Sequence, residues 1–336
     1  MKTQRPTLEA VAARAGVGRG TASRVVNGSG RVSQESTAAV LRAVEELGYV
    51  PNSAARALVR QRNDTVAFVA AVTDDRGFWE DPFYSPLVRG ATAVLAAEGI
   101  QLLLAIAQSQ QQHAQLNAFL SSRHVDGVLL SSLHEGDPLP ALLDASAVPT
   151  VLVGAPSGYT PAFGVDVDNE TGAHHAAQHL IDRGRHRIAV ITGPLGIQAS
   201  ADRWNGFRSA LAEAGLTPGP VAHGDFTRDS GSEAMRQLLA GGGEMDALFA
   251  ANDLMAAGAL DVLRAAGRRV PDDVAVVGFD DTWVAAATDP PLTSIHQPLE
   301  EMGREAARLM LARIRQDDIP EPRVLFEPRL VVRESA

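Results

Sequence analysis

A chain of 336 residues, 45% hydrophobic and 21% charged, has room for two or three domains with sizeable cores and is too apolar to be disordered. It contains no cysteine, which excludes disulfides, thiol nucleophiles and cysteine-based metal sites. Its net charge of −10 is divided unevenly: residues 1–62 carry ten basic and four acidic side chains, and the remainder carries 20 basic and 36 acidic ones, so a head of +6 precedes a body of −16. Such a head concentrates phosphate attraction at one end, while the acidic body is repelled by nucleic acid. No secretory apolar segment follows the N-terminus and no run of about 18 apolar residues occurs, so a cytoplasmic protein without a membrane span is expected.

In chain order, Thr7 to Asn27 (TLEAVAARAGVGRGTASRVVN) reads as two short helices around a tight turn. Leu8, Val11, Ala12 and Ala15 recur at helical spacing, Gly16 and Val17 interrupt the run, and Ala22, Val25 and Val26 resume it. Arg19, Thr21, Ser23 and Arg24 stand outside that apolar line, as on the second helix of a helix-turn-helix, whose first residues meet base edges in the major groove. Ser33, Ser36 and Thr37 open a third helix, which continues through Val40, Leu41, Val44 and Leu47 and stops at Gly48. Tyr49 and Pro51 close a unit with one small core. The next stretch, NSAARAL at Asn52–Leu58, has helix-forming composition but is short. Two readings fit it: a plain linker, or a hinge that becomes helical against DNA and a symmetry mate, with Leu58 as a minor-groove wedge and Arg56 as a groove or backbone contact.

From Thr65 the period changes. Apolar runs of strand length at 65–72, 100–105, 125–132, 148–154, 187–193, 246–253 and 274–280 look like buried parallel strands. Crossover-length helices are expected over 84–98, 113–123, 169–183, 202–214, 230–240 and 254–266, with a later one over 299–313. This is a doubly wound α/β body, divided into two lobes by a crossing near Phe163–Asp168. Ligands in such folds sit beyond the C-terminal ends of the strands, which marks Asp74, Asp75, Ser131, Gly154, Thr192, Asn252, Asp280 and Asp281. Arg203, expected to begin a helix, has the fork to hold vicinal hydroxyls or a carboxylate. Helix capping is the competing role for Asn252-Asp253 and Asp280-Asp281. Phe83, Tyr84, Phe163, Phe226 and Trp283 fall in loops or at strand ends, and aromatic faces beside planar polar groups suit a sugar. Each taken singly could equally be core.

Catalytic patterns are lacking. His174, His175 and His179 lie on an expected helix without a Glu-x-x-His or cysteine partner set, so surface histidines rather than a metal site are expected. The glycines at 193–196 and 241–243 form neither a Walker A loop nor a dinucleotide fingerprint, and no Gly-x-Ser-x-Gly elbow occurs. Neither an enzyme nor a cofactor is expected.

The segments AVAARAGVGRGTASRVVNGSGRVS, LGYVPNSAARAL, HVDGVLL, NDLMAAGALDVL, PDDVAVVGFDD and PPLTSIHQP, in this order, resemble the lac repressor family of bacterial transcription regulators across essentially the whole chain. The resemblance implies a three-helix helix-turn-helix head at 1–51 and a hinge helix and linker at 52–63. It implies a body over 64–336 with the two-lobed fold of periplasmic sugar-binding proteins and three crossings. The N-lobe would comprise about 64–165 plus 298–325, and the C-lobe about 166–297 plus 326–336. It further implies a homodimer on a pseudo-palindromic DNA operator. Matching positions suggest that Arg19 and Gly20, with Thr21, Ser23, Arg24 and Asn27, contact bases or phosphates. Thr7, Leu8, Gly18, Ser33, Tyr49 and Asn52 complete that surface, with Ala55, Arg56 and Leu58 in the hinge. A serine is usual where this chain has Gly18, and Gly20 offers bases almost nothing, which leaves more of the readout to Arg19. For the effector, the resemblance points to Arg203, Asn252 and Asp280 on sugar hydroxyls, Phe163 and Phe226 on the ring and Gln297 at a crossing. Asp81, Phe83, Ser131 and Trp283 complete the set. The segments FWEDPFYSPLVRG, Gly18-Arg19-Gly20 and GFDDTWVAAATDPPLTSI are most similar to the cellobiose-responsive actinobacterial branch, which suggests a β-glucoside or cello-oligosaccharide.

These features describe a repressor of carbohydrate-utilisation genes released from DNA by a sugar. Regulation by another sugar, or a corepressor of opposite sign, stays open at the level of sequence. The rival classes are a cytoplasmic sugar-active α/β enzyme with a basic appendage and an exported binding protein, which has no use for a +6 head.

Overall fold

In a computed structural model, which describes residues 6–27, 30–49, 62–71, 79–107, 110–122, 124–131, 135–145, 147–242 and 244–336, the chain divides into two compact units, Met1–Asp64 and Thr65–Ala336. The expected strand at 65–72 is described to Ala71 as strand β1 (Thr65–Ala71), while Asp74 and Asp75 lie outside the described residues.

The first unit holds helices α1 (Leu8–Ala15), α2 (Arg19–Val26) and α3 (Gln34–Leu47). Each begins where the sequence offers a cap: the Thr7 hydroxyl accepts from Ala10 N at 3.3 Å and the Ser33 hydroxyl from Ser36 N at 3.2 Å, while Gly18 begins α2 without a side chain. Gly16, at φ +68°, ends α1 in the left-handed region. Val11, Ala12, Ala22, Val40 and Ala43 form the small core, with Leu8, Val25, Val44, Leu47 and Tyr49 packed around it. Leu41, expected in this core, is 55% exposed. The buried stripe runs Val40, Ala43, Val44, Leu47, and one further residue turns a side chain by about 100° off that face.

The second unit contains, among the described residues, two six-stranded sheets. The first uses β1, β2 (Gln101–Ala107), β3 (Gly127–Ser131), β4 (Thr150–Val153), β5 (Gly164–Val167) and β11 (Arg323–Phe326), in the order β11-β5-β4-β3-β1-β2. The second uses β6 (Ile188–Thr192), β7 (Val221–His223), β8 (Ala247–Ala250), β9 (Ala275–Asp280), β10 (Thr293–His296) and β12 (Arg329–Val331), in the order β12-β10-β9-β8-β6-β7. Every pairing is parallel except β10 with β12.

Both faces of each sheet are covered, which is why the strands are apolar throughout. Helices α4 (Tyr84–Ala97) and α12 (Leu299–Arg315) cover Val66, Phe68 and Ala70 of β1. Helices α5 (Gln110–Ser121) and α6 (Leu139–Ala145) cover Ala67 and Val69 on the reverse. In the second sheet α7 (Asn169–Asp182) and α8 (Gln198–Glu213) lie over Val190, Phe249 and Phe279, and α9 (Arg228–Ala240) and α10 (Asp253–Ala265) over Ile191, Leu248 and Val276. The α4–α12 contact is close enough that a Cβ on Gly90 or Gly303 would collide with the carbonyls of Glu300 and Leu87.

Three connections join the sheets: Val167 to Asn169, His296 to Leu299, and Phe326 to Arg329. Two of them touch, since Asp168 N donates to Phe326 O at 2.9 Å. The stretch read as a bare crossing, Phe163–Asp168, is therefore mostly a strand of the first sheet that passes straight into a helix of the second. Arg203 was expected to begin its helix. It lies in the second turn of α8, whose start at Gln198 carries no side-chain cap for the sequence to reveal. Local patterns in the sequence do not announce α6, α11 (Trp283–Ala287), β7, β10, β11 and β12, which are all short, and β7 and β11 have exposed residues along an edge.

Candidate functional site

On the head, the exposed side of α2 presents Arg19, Gly20 and Arg24, with Thr21, Ser23 and Asn27 half-buried. Arg24 Nε folds back to Gly20 O at 3.2 Å, and Asn27 Nδ2 donates to Ser23 Oγ at 3.1 Å. Arg19 pairs with Glu9 of α1 at 2.8 Å, both side chains being exposed. Thr7 and Ser33 are occupied as helix caps, and Leu8 and Tyr49 pack on the core. Asn52, Ala55, Arg56 and Leu58 lie outside the described residues.

In the body, the C-terminal ends of β5, β8 and β9 converge on a buried guanidinium. Arg203 is 5% exposed, and its Nε and Nη1 are held. Nε donates to Asn169 Oδ1 at 2.8 Å and Nη1 to Ala251 O at 2.6 Å; Nη1 also lies 3.4 Å from Asp280 Oδ1. The guanidinium stacks 3.7 Å over the Phe279 ring. Gln297 Nε2 donates to the same Asp280 oxygen at 2.5 Å. Asn252 caps α10 by accepting from Met255 N at 2.9 Å, so the competing role holds, and its Nδ2 also reaches Phe226 O at 2.9 Å. Phe226 is kept at φ +73° and half-buried.

One arginine serves four carboxylates here. Burial pushes Asp280 up to about 6 against the pull of Arg203. It pushes Asp166 up to about 6 as well, with Arg203 again opposing. Asp253 is raised well above the ordinary range by burial and by Asp280. Asp81 comes from the other lobe, and burial together with the Asp280 charge raises it to about 7, although its Oδ1 accepts from Phe83 N at 2.9 Å. Burial disfavours the Arg203 cation too, but the surrounding carboxylates keep it charged.

A carboxyl whose pKa is higher folded than unfolded adds no penalty below the unfolded value and destabilises the fold as pH rises through the folded one. For Asp81 that window runs from 3.8 to about 7. Asp81→Asn is therefore expected to melt above the unaltered protein at about pH 8, by roughly 2–4 °C for each kcal/mol recovered. The difference closes as pH falls towards 4, and melts across this range check it.

The turn carrying Asp280 is held largely by groups that carry no local signal in the sequence. Asp280 and Asp281 both have positive φ, +101° and +52°. Asp281 accepts from Arg333 Nη2 at 2.6 Å and pairs with His296 Nδ1 at 2.9 Å, and its amide donates to Ser294 Oγ at 3.1 Å. Ser294 Oγ donates in turn to buried Asp253 at 2.6 Å, which also accepts from Thr282 N at 2.7 Å. Only Asp281 and Asp253 carried a signal, as polar ends of apolar strands. Asn169 follows the strand end at Val167 and was readable by the same rule.

Between the lobes, Glu135 N donates to Gly196 O at 2.7 Å and Gln198 N to Ala155 O at 3.2 Å, bridging one side of the cleft. Ser131, at the end of β3, is 1% exposed and its hydroxyl has no partner among the described residues. Phe83 packs on the core beside Tyr84, which is itself core, and Trp283 is 72% exposed at the start of α11. Phe163 is not brought to this site. It precedes β5, at the opposite end of the sheet from the strand C-termini, and its ring lies 4.1 Å under the Arg313 guanidinium. Among the described residues no group of three or more potential ligands could hold a metal ion, and His174 pairs with Glu213 at 3.0 Å. No helix among them is long and apolar enough to cross a membrane.

A family model of bacterial regulatory proteins of the lacI family matches residues 7–52, and one of a periplasmic binding protein-like domain matches residues 177–336. The HTH-type transcriptional regulator CelR of Thermobifida fusca is 51% identical over 338 residues, covering 99% of both chains. Among solved structures, a CelR–cellobiose complex is 49% identical, covers 99% of this chain and 100% of that one, and superposes with a TM-score of 0.79. The lac repressor dimer bound to operator and the anti-inducer ONPF is 26% identical over 99% of each chain, with a TM-score of 0.89.

Proposed function

The chain belongs to the lacI family of bacterial regulatory proteins, and from that premise we propose that it is a cytoplasmic homodimeric repressor of carbohydrate-utilisation genes, released from its operator by cellobiose or a related β-glucoside. It is a regulator rather than an enzyme. The observation that carries the ligand reading is the fork of Arg203, fixed by Asn169, Ala251 and Asp280 at one end of the cleft, with Asn252 tied to the aromatic Phe226 beside it. Directional donors and acceptors around a ring face suit a neutral polyol. The relative whose solved complex holds cellobiose is 49% identical, which favours a β-linked glucose disaccharide.

In this reading Arg19, Gly20, Thr21, Ser23, Arg24 and Asn27 meet the operator's bases and phosphates, and Leu58 with Ala55 and Arg56 forms the hinge contact. Asp81 and Ser131 from one lobe, and Arg203, Phe226, Asn252, Asp280 and Trp283 from the other, surround the sugar, with Gln297 at a crossing. Sugar draws the lobes together and misaligns the heads. By linkage, DNA weakens sugar binding by the factor with which sugar weakens DNA binding.

The test is a mobility shift on a selected pseudo-palindromic duplex, titrated with cellobiose, cellotriose, maltose, lactose and glucose. Release by cellobiose at lower concentration than by maltose or lactose is expected. Release by none of the sugars, or tighter binding with cellobiose, would overturn the proposal.

The Asp281–Arg333 pair makes a separate expectation. Arg333→Ala leaves a positive-φ turn without its clamp, and effector affinity should fall about tenfold while operator binding without effector is unchanged, as measured by calorimetry and mobility shift.

A further inference from the structure

We propose that Ser200 reads one hydroxyl of the effector's ring, at a corner of the cleft built by Gly193 and Phe226; the assignment rests on the sugar reading above. Ser200 is the third residue of α8 and one turn before Arg203, on the same buried face. It is 1% exposed, and its hydroxyl has no hydrogen-bond partner among the described residues.

A serine in a helix ordinarily returns its hydroxyl to a carbonyl three or four residues back. Here those carbonyls each already accept two donors: Ile197 O from Ser200 N at 3.0 Å and Ala201 N at 3.3 Å, and Gly196 O from Glu135 N at 2.7 Å and Ser157 N at 3.3 Å. Nearby polar groups are satisfied as well. Thr192 Oγ1 lies 2.7 Å from His223 Nδ1, and Gln198 Nε2 donates to Asp202 at 2.7 Å. The Ser200 hydroxyl is thus the unsatisfied group at this strand end, and burying one is costly unless a ligand meets it.

Its surroundings say what the ligand brings. A Cβ added at Gly193 would stand 2.6 Å from Ser200 Oγ and closer still to the Phe226 ring. The bare strand end therefore lets hydroxyl and ring edge converge. A pyranose laid on Phe226 carries its hydroxyls around its rim, which is where Ser200 Oγ waits.

Titration calorimetry of the unaltered protein and Ser200→Ala with cellobiose and its monodeoxy analogues tests this. Ser200→Ala is expected to bind cellobiose about five- to tenfold more weakly, with effector-free operator affinity unchanged and effector-free melting raised rather than lowered, since the buried unsatisfied hydroxyl is gone. One deoxy analogue should show the same loss against the unaltered protein and no further loss against Ser200→Ala, closing the cycle on a single hydroxyl. Unchanged cellobiose affinity in Ser200→Ala, or an equal added loss with every analogue, overturns the assignment and leaves the sugar reading standing. Failure of the unaltered protein to bind cellobiose overturns the sugar reading itself, and the Ser200 assignment with it.

Discussion

Arg203→Gln is expected to weaken effector binding by about two to three orders of magnitude while operator binding by the effector-free protein persists. The guanidinium reaches Asn169, Ala251 and Asp280 at once and lies flat on Phe279. Glutamine replaces at most one of those contacts and none of the charge. Asp280 then loses the cation that opposes its desolvation, beside Asp253 and Asp81, whose carboxyls burial and the Asp280 charge already push upward. A buried carboxylate without its partner responds by taking up a proton. Residual binding by Arg203→Gln should therefore improve as pH falls from about 8 to 6, opposite to what simple loss of a donor produces. Arg203→Lys restores the charge but not the planar fork, and should recover only part of the affinity. Calorimetry of the three proteins at two pH values decides the matter. Unaltered affinity in Arg203→Gln would remove this residue from the binding site.

How much of this was legible beforehand depends on whether the signal is local. Strands such as Val66–Ala70 and Ala275–Phe279 announce themselves because both faces are buried. Strand β11 does not, since its residues alternate between exposed and half-buried, and its place beside β5 is fixed by a partner some 160 residues away in the chain. The rule that ligands lie beyond strand C-termini singled out Asn252 and Asp280, which the fold sets against Phe226 O and the Arg203 guanidinium. It could not show that Arg333, a surface-type residue near the last strand, clamps Asp281. Phe163 failed for the converse reason. An aromatic in a loop reads as available, and only the tertiary fold reveals Arg313 lying over its face. Ser200 carries no signal in its own type. It stands out only once its local acceptors are seen to be taken.

Arg19→Ala is expected to cut selective operator binding sharply and leave effector affinity intact. At the N-terminal end of α2, Gly18 and Gly20 present no side chain, Arg24 is folded onto Gly20 O, and Asn27 onto Ser23. Arg19 is the long exposed donor left at that end, and its present partner is Glu9. An exposed pair of this kind is worth about 0.2–1 kcal/mol, whereas a guanidinium forked on guanine discriminates by about 1–3 kcal/mol. The exchange of Glu9 for a base is thus downhill, and a symmetric dimer makes it at both half-sites. Loss of Arg19 should then remove about twice the single-site discrimination and relax preference at one symmetric base-pair position. A uniform loss across all sequences with a shallower salt slope would instead identify a phosphate contact. Glu9→Gln separates the two halves of the argument. Freed from its carboxylate, Arg19 should bind operator a few-fold more tightly at low salt, and the gain should fade as salt screens the pair. If Glu9→Gln weakens binding, the carboxylate is orienting Arg19 towards its base rather than competing for it.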